Sequence, residues 1–205
     1  METMQTKDPV RVLGTAFMEF ASPQPEQLVA TLERMGFRSA GRHRTRRMTW
    51  MRQGGVDFIV NAEPGSHAAG FAQGHGPSCA GMAFVVQDAA ASVQRARDLG
   101  ARPATVAAGS LLPDNALRGI GDSALYLVDA ASMDALRAQF DFAPVDAPAG
   151  AFERIDHVTH CVHPGHMAEW VAFYERIFGF QQVFKFVAGT AQNGFDTIAV
   201  RAPDS

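Results

Sequence analysis

The chain has 205 residues, of which 47% are hydrophobic and 19% are charged, a composition typical of a packed globular protein rather than a disordered one. Its 18 Lys and Arg against 21 Asp and Glu give a formal net charge of −3, which lacks the excess positive charge of a nucleic-acid-binding protein. No apolar run reaches the roughly 20 residues that span a bilayer, and two distant cysteines, Cys79 and Cys161, favour a reducing cytoplasm over a disulfide framework.

The first predicted unit follows a polar tail, residues 1–11, that has no apolar core of a secretory signal. The apolar run at 12–20 predicts a strand, and a helix is expected from Ser22 as N-cap to Gly36 as its stop. Three strands are then predicted, with a Gly-Gly turn between the last two, at 37–41, 48–52 and 56–61.

A second unit of the same order begins near Cys79. A buried strand is predicted at 81–86, and Asp88 is expected to cap a helix that Gly100 closes. Further strands are expected near 103–106 and at 124–128. Two successive strand–helix–strands units over residues 12–140 predict an α+β domain rather than a regular parallel sheet.

A third unit follows an expected linker at 141–152, which contains Pro144 and Pro148. In the region 153–205, a strand, a helix and two more strands are predicted at 155–162, 167–178, 181–187 and 195–202. Near the end of its helix, Glu-Arg is followed after one or two residues by Gly-Phe, as it is in the first helix, which indicates an internal duplication. The last copy would be incomplete, so the sequence predicts an exposed apolar sheet face there.

Four of the seven histidines fall in one stretch, at positions 157, 160, 163 and 166. On the predicted strand, Val158 and Val162 would face the helix, so His157 is expected to face the opposite way from His160. An imidazole on a rigid strand is a good metal ligand, but such a cluster also fits the polar end of a strand. The helical zinc motif His-Glu-x-x-His is absent from the sequence.

Four other features that could have a chemical role are interpreted as structural. His75 is expected in a loop, and Cys79 as a small core residue rather than a nucleophile. The basic run at 42–47 is read as a solvated strand connection, with an anion site as the alternative. Glu19 offers the first strand one carboxylate, but nothing there corresponds to His157, so no metal site is expected in the first copy.

Several short motifs, taken in order, resemble the N-terminal part of bacterial members of the 4-hydroxyphenylpyruvate dioxygenase family, in the vicinal oxygen chelate superfamily. They are FMEFASP at 17–23, GPSCAGMAF at 76–84, LGA at 99–101, GIG at 119–121, LYL at 125–127, IDHVTH at 155–160, FYE at 173–175 and FGF at 178–180. The resemblance extends from about Leu13 to Asp204, nearly the whole chain.

The resemblance implies domains of paired βαβββ modules, an N-terminal domain without metal, and a second domain, incomplete here, that forms a half-open barrel around Fe(II). Two His and one Glu would hold the iron, and a 2-oxo acid and O2 would react to give homogentisate and CO2 in tyrosine catabolism. His157 matches the first iron ligand, whereas His160 matches a histidine that is not needed as a ligand. Thr197 matches a position near the substrate, and Cys161 stands where the family usually has Asn.

The other His and the Glu are expected beyond Ser205, so Fe(II) is expected only in the full-length protein and the 205-residue chain is predicted to be inactive alone. The resemblance also allows a fragment of a hydroxymandelate synthase-type enzyme. A further alternative is a truncated, non-catalytic oxygen-chelate module that binds a small molecule or a partner. Neither a nucleic acid nor a membrane is expected as a partner, and an unfinished sheet edge would favour a homo-oligomer.

Overall fold

A computed structural model describes residues 8–105, 109–143, 151–189 and 193–203 of the chain. The first module contains all five elements that the sequence predicts. They are β1 (Gly14–Ala21), α1 (Pro25–Arg34), β2 (Arg38–His43), β3 (Met48–Gln53) and β4 (Val56–Asn61). The predicted N-cap is wrong: Gln24 is the cap residue of α1, and the Ser22 hydroxyl accepts a hydrogen bond from the Gln24 amide instead.

The second module contains more elements than the sequence predicts. Its elements are α2 (His67–His75), β5 (Ser78–Val85), α3 (Ala89–Asp98), β6 (Ala116–Arg118), β7 (Ala124–Val128), α4 (Ala130–Arg137) and β8 (Phe140–Phe142). The Asp88 side chain accepts a hydrogen bond from the Ala91 amide at 2.9 Å, which confirms the predicted cap of α3. Helices α2 and α4 were not predicted, because alanine and glycine dilute their apolar periodicity.

The predicted strand near 103–106 is wrong within the described residues. Pro103 forms only an isolated bridge to Leu117, and Val106 lies outside the described part of the chain. A proline has no amide proton to donate to a strand ladder, which weakens the case for a strand at Pro103. The strand that follows, β6, pairs antiparallel with β7.

The two modules share one sheet of eight strands, in the order β6-β7-β5-β1-β4-β3-β2-β8. Within each module the first strand runs parallel to a later one, β1 with β4 and β5 with β7. The modules join where β1 pairs antiparallel with β5. The paired-module α+β architecture expected from the resemblance is therefore present.

Strand β8 corrects the predicted start of the linker. Asp141 and Phe142 pair with β2 and so belong to the sheet of the first domain. Within the expected linker, residues 144–150 lie outside the described part of the chain.

The third region departs from the expected module at its beginning. The predicted strand at 155–162 is wrong: this segment has no regular secondary structure, and no described strand pairs with it. Helix α5 spans Met167–Phe178, the predicted bounds, and strands β9 (Gln181–Ala188) and β10 (Phe195–Arg201) form a separate two-stranded sheet.

Helix α5 packs against the first domain. Its buried side chains share a core cluster with α3, β5 and β7, and they are Phe173, Tyr174, Ile177 and Phe178. The Val10 amide donates to the Ile177 carbonyl at 2.8 Å, and the Arg176 Nε donates to the Leu99 carbonyl at 3.0 Å. The third region is thus attached to the first domain through its helix.

The predicted exposed apolar sheet face is confirmed. Among the described residues, seven of the ten exposed large apolar side chains lie at or after residue 152, and five of these seven lie on β9 and β10. They are Phe152, Val158, Val183, Phe184, Phe186, Val187 and Phe195. Among the described helices, none is long and apolar enough to cross a membrane.

Candidate functional site

The sequence-predicted metal ligand, His157, lies in the irregular segment that leads into α5. Its side chain is 80% exposed, and its Nδ1 lies 2.9 Å from a carboxylate oxygen of Asp156. The hydrogen bond with His157 is the largest cause that lowers the pKa of Asp156. An imidazole that donates from Nδ1 to a carboxylate keeps the lone pair of Nε2 for a metal, an arrangement common around metal-bound histidines.

His160 is in the opposite situation, because it is half-buried rather than exposed. Its Nε2 is buried with no hydrogen-bond partner among the described residues, and burial lowers its pKa. The expectation that the two histidines face opposite sides rested on strand alternation, which does not apply to an irregular segment. In this segment the His157 side chain is exposed and the His160 side chain is half-buried.

Of the other residues named by the resemblance, Thr197 lies on a strand and Cys161 lies in the irregular segment. Thr197 is half-buried on β10 and is paired in register with Phe186 of β9. Cys161 is a free, exposed thiol in the same irregular segment as His157. The assignments of Thr197 to the substrate and of His157 to the iron stay predictions.

The described residues do not fit an iron site with three protein ligands. Within residues 8–105, 109–143, 151–189 and 193–203, no group of three or more His, Cys, Asp or Glu side chains could hold a metal ion. A facial triad needs three side-chain ligands on one metal, and His157 offers one imidazole. No catalytic step through iron can be derived from these residues alone.

The sequence analysis missed a buried polar network in the first domain, centred on Glu19. Glu19 is 1% exposed. It accepts a hydrogen bond from Asn61 Nδ2 at 2.7 Å and one from the Tyr126 hydroxyl at 2.6 Å. Burial raises the pKa of Glu19, while both hydrogen bonds oppose that rise. Burial and the nearby Glu19 carboxylate together raise the pKa of Tyr126.

A detectable signal for this network was present in the sequence. Glu19 stands between Met18 and Phe20 within a strand, and a carboxylate in such a setting requires buried hydrogen-bond partners. Those partners come from β4 and β7, far along the chain, and only the folded sheet brings them together. The sequence could therefore indicate the need for partners but not their identity.

The contacts between Glu19 and Tyr126 leave no room for a side chain at Gly81. A Cβ atom on Gly81 would lie 2.9 Å from Cε2 of Tyr126 and 3.1 Å from the carboxylate of Glu19. The Cys79 thiol, on the same strand, donates to the Gly81 carbonyl, and burial raises its pKa to about 12. A thiol with that pKa stays protonated at neutral pH, which supports the prediction that Cys79 is a packing residue.

Aromatic side chains fill the space around the network. Phe17, Trp50 and Tyr126 are all fully buried, and the ring of Phe17 lies 6.4 Å from that of Trp50 and 6.0 Å from that of Tyr126. The carboxylate of Glu19 is already bonded to Asn61 and Tyr126, and the Asn61 side-chain oxygen accepts from the Glu63 amide at 3.0 Å. This side of the first domain is a packed core rather than a ligand pocket.

An open cleft of about 500 Å³ lies along α2, away from His157. His67 lies in it and its Nε2 is 2.8 Å from the Asp122 carbonyl oxygen. His75 is the last residue of α2 rather than a loop residue as predicted, and its ring stacks on Phe71 at 4.2 Å. Among the described residues, neither histidine belongs to a group of three or more side chains that could hold a metal ion.

The basic run at 42–47 is mostly solvated, as predicted, although Arg46 is half-buried and donates to the Ser110 carbonyl at 3.2 Å. Arg44 is 2.8 Å from Asp141 and Arg47 is 3.7 Å from Glu26, and all four of these side chains are largely exposed. Exposed pairs of this kind contribute little to stability.

Comparison with known proteins gives a family for the first domain. Residues 6–143 match the family model described as "Hydroxyphenylpyruvate dioxygenase, HPPD, N-terminal". The 4-hydroxyphenylpyruvate dioxygenase of Pseudomonas sp. (strain P.J. 874) is 38% identical over 206 residues, which cover 97% of this chain. The chain spans 57% of that relative.

Two solved structures share the fold. A xylose isomerase-like TIM barrel/4-hydroxyphenylpyruvate dioxygenase fusion protein is 28% identical, with a TM-score of 0.81 over 98% of this chain and 32% of its own. A mutant of 4-hydroxymandelate synthase from Streptomyces coelicolor is 21% identical, with a TM-score of 0.70 over 96% of this chain and 60% of its own. At that identity, the second likeness concerns the fold alone.

Proposed function

Because the chain belongs to the hydroxyphenylpyruvate dioxygenase family, we propose that it is part of an Fe(II)-dependent enzyme that converts 4-hydroxyphenylpyruvate and O2 to homogentisate and CO2. The observation that carries the proposal is the 38% identity to a 4-hydroxyphenylpyruvate dioxygenase over nearly the whole chain. Both proposed domains are included in that alignment. The first domain alone would support only a shared fold.

In this proposal the two regions have separate tasks. The first domain, with its polar groups bonded internally, provides a rigid support to which α5 is attached. The segment before α5 supplies His157 as one metal ligand, and Asp156 orients its imidazole. Iron supplies the oxygen chemistry when it is bound, and the described residues of this chain do not complete its ligand set.

The product of the native protein tests this function. Native protein purified from its own cells should form homogentisate from 4-hydroxyphenylpyruvate in the presence of Fe(II) and O2. His157→Gln should abolish the activity, since it removes a proposed ligand. His163→Gln, an exposed change in the same segment, is the matched control and should leave activity unchanged. Formation of 4-hydroxymandelate instead would favour the synthase-type reaction, and formation of neither would contradict the proposal.

A non-catalytic module is the second candidate. The observation that favours it is the absence of any three-ligand cluster in the described residues, together with the high exposure of His157. In that case His157→Gln would change neither iron content nor product. A native protein that contains stoichiometric iron lost on His157→Gln would eliminate this candidate.

A further inference from the structure

The segment that carries His157 is attached to the first domain at the turn between β3 and β4. The Gly55 amide donates a hydrogen bond to the Phe152 carbonyl at 2.8 Å. The ring of Phe152 lies 6.0 Å from the ring of Phe37, and Ile155 packs against the core cluster that includes Phe37. These contacts, which we call the Gly55 anchor, end two residues before His157.

A side chain at Gly55 would disrupt this anchor. A Cβ atom there would overlap the Glu153 carbonyl oxygen and would lie 3.0 Å from the carbonyl carbon. Both are backbone atoms, so they cannot rotate away as the end of a long side chain can. The neighbouring Gly54 has a φ of 57°, which favours glycine, whereas the φ of Gly55 lies outside the left-handed region. The approach of the Glu153 backbone, and not the conformation of the turn, therefore requires glycine at position 55.

The hairpin that presents Gly55 is held firmly in the first domain. Arg52 and Asp57 are paired across β3 and β4, on either side of the turn. The Arg52 guanidinium donates to both carboxylate oxygens of Asp57, at 2.7 and 3.0 Å. Two parallel hydrogen bonds of this kind fix the relative orientation of the two side chains. Val56 is buried in the same core cluster as Phe37, so the turn is a fixed point for the segment attached to it.

The residues after the anchor have little to hold them. Residues 156–159 are exposed, and His160 is the next half-buried residue. The segment has no regular secondary structure, so its path depends on the points at which it is attached. One of these points is the Gly55 anchor, and the other is helix α5, which packs against the first domain. Loss of the anchor would let the segment open locally while the first domain stays folded.

We propose that Gly55 is a positioning residue for His157. The inference rests on the proposed function, since it takes His157 to be a metal ligand. Gly55 has no side chain to offer a metal, and it acts through the backbone of Phe152 and Glu153. A ligand must be held close to one geometry, and loss of the residues that support a ligand lowers metal affinity by roughly 10- to 100-fold.

Limited proteolysis of the 205-residue chain tests the anchor without metal. Arg154 is exposed beside the anchor, and trypsin should cleave after it faster when the segment opens. Gly55→Ala should raise the cleavage rate at Arg154 about tenfold, because a hydrogen bond is lost. The midpoint of urea denaturation should stay close to that of the wild type. Mass spectrometry identifies the cleavage site.

Two further substitutions and a control sharpen this experiment. Phe152→Ser keeps the carbonyl but removes the ring beside Phe37, so it should raise the cleavage rate about threefold. Phe152→Leu keeps an apolar side chain and should behave like the wild type. Gly70→Ala is the matched control, since no atom lies within 4 Å of its Cβ, and it should leave the cleavage rate at Arg154 unchanged.

Iron release from the native protein tests the positioning role. Native protein loaded with Fe(II) in the absence of oxygen is mixed with an excess of the chelator ferrozine. The absorbance of the ferrous complex then reports the rate of iron loss. Gly55→Ala should lose iron roughly tenfold faster than the wild type, because His157 is no longer held in place. Gly70→Ala should release iron at the wild-type rate.

Three outcomes would overturn the proposal. The first is unchanged cleavage at Arg154 in Gly55→Ala. The second is faster cleavage with an equal loss of global stability, which would make Gly55 a residue of the fold alone. The third is faster cleavage with unchanged iron release, which would separate the anchor from His157. A wild type that holds no iron would contradict the proposed function and with it the positioning role, whereas the proteolysis result does not depend on metal.

Discussion

The polar groups of the first domain and those of the segment before α5 differ in burial and in hydrogen bonding. Glu19 is 1% exposed and accepts hydrogen bonds from both Asn61 and Tyr126. His157 is 80% exposed, with one ring nitrogen beside Asp156 and the other unused by any described residue. A carboxylate saturated by its own protein stabilises a fold, whereas an oriented imidazole with a free lone pair is suited to a ligand. Burial and saturation, rather than residue type, separate structural from functional candidates in this chain.

The largest expected effect comes from removing the buried carboxylate. Glu19→Ala leaves the Asn61 amide and the Tyr126 hydroxyl without their acceptor and creates a cavity. We expect the free energy of unfolding to fall by about 3 kcal/mol, measured by urea denaturation. Glu33→Ala, an exposed change on α1, is the control and should stay within about 0.5 kcal/mol of the wild type. A small effect of Glu19→Ala would contradict the structural role of the network.

A methyl group at Gly81 should have the next largest effect. Its Cβ would lie within 3.1 Å of both Tyr126 and Glu19, so Gly81→Ala should lower the free energy of unfolding by about 2 kcal/mol. Gly70→Ala is the matched control, because no atom lies within 4 Å of its Cβ and the residue is inside α2. That change should raise stability by about 0.5 kcal/mol through helix propensity. Equal effects of the two substitutions would contradict the packing described around Gly81.

The pH dependence of Glu19→Gln should be smaller but diagnostic. The folded state raises the pKa of Glu19, mainly through burial. A raised pKa contributes stability that is fully present below the unfolded value and is lost as pH rises through the folded value. Urea denaturation should therefore show that Glu19→Gln gains stability relative to the wild type as pH rises above 4.5, the ordinary pKa of a glutamate side chain. The opposite trend would mean that the two hydrogen bonds outweigh burial.

The smallest stability effect is expected at His157. Its side chain is 80% exposed, so His157→Ala should change the free energy of unfolding by less than about 0.5 kcal/mol. Thermal denaturation checks this on the chain itself. A large loss of stability would place His157 with Glu19 as a structural residue. Unchanged stability of His157→Ala, with lost activity in the native protein, would support a ligand role for His157 and a structural role for Glu19.

The sequence predicted most of the fold, because most elements carry clear local signals. Helix α5 and strands β4 and β7 have their predicted bounds, and Asp88 caps α3 as expected. These segments combine strong apolar patterns with glycine or cap residues at their ends. Local signals of this kind can be recognised without knowledge of the tertiary structure.

The failures share a physical cause, which is dependence on distant partners. The segment 155–162 alternates like a strand, but no described strand is available to pair with it. The apolar pattern of Ile155, Val158 and Val162 therefore does not produce a ladder. The partners of Glu19 come from β4 and β7, and no local pattern indicates Asn61 or Tyr126. For the candidate site, the sequence predicted His157 as a ligand but not its exposure, its irregular segment or its contact with Asp156.

Iron content tests the central contrast most directly. The purified 205-residue chain is loaded with Fe(II) under anaerobic conditions, freed of excess metal by gel filtration, and measured by atomic emission. The account predicts far less than one iron per chain, with no change in Glu19→Gln and loss of any residual binding in His157→Ala. One iron per chain, retained in His157→Ala or lost in Glu19→Gln, would contradict it.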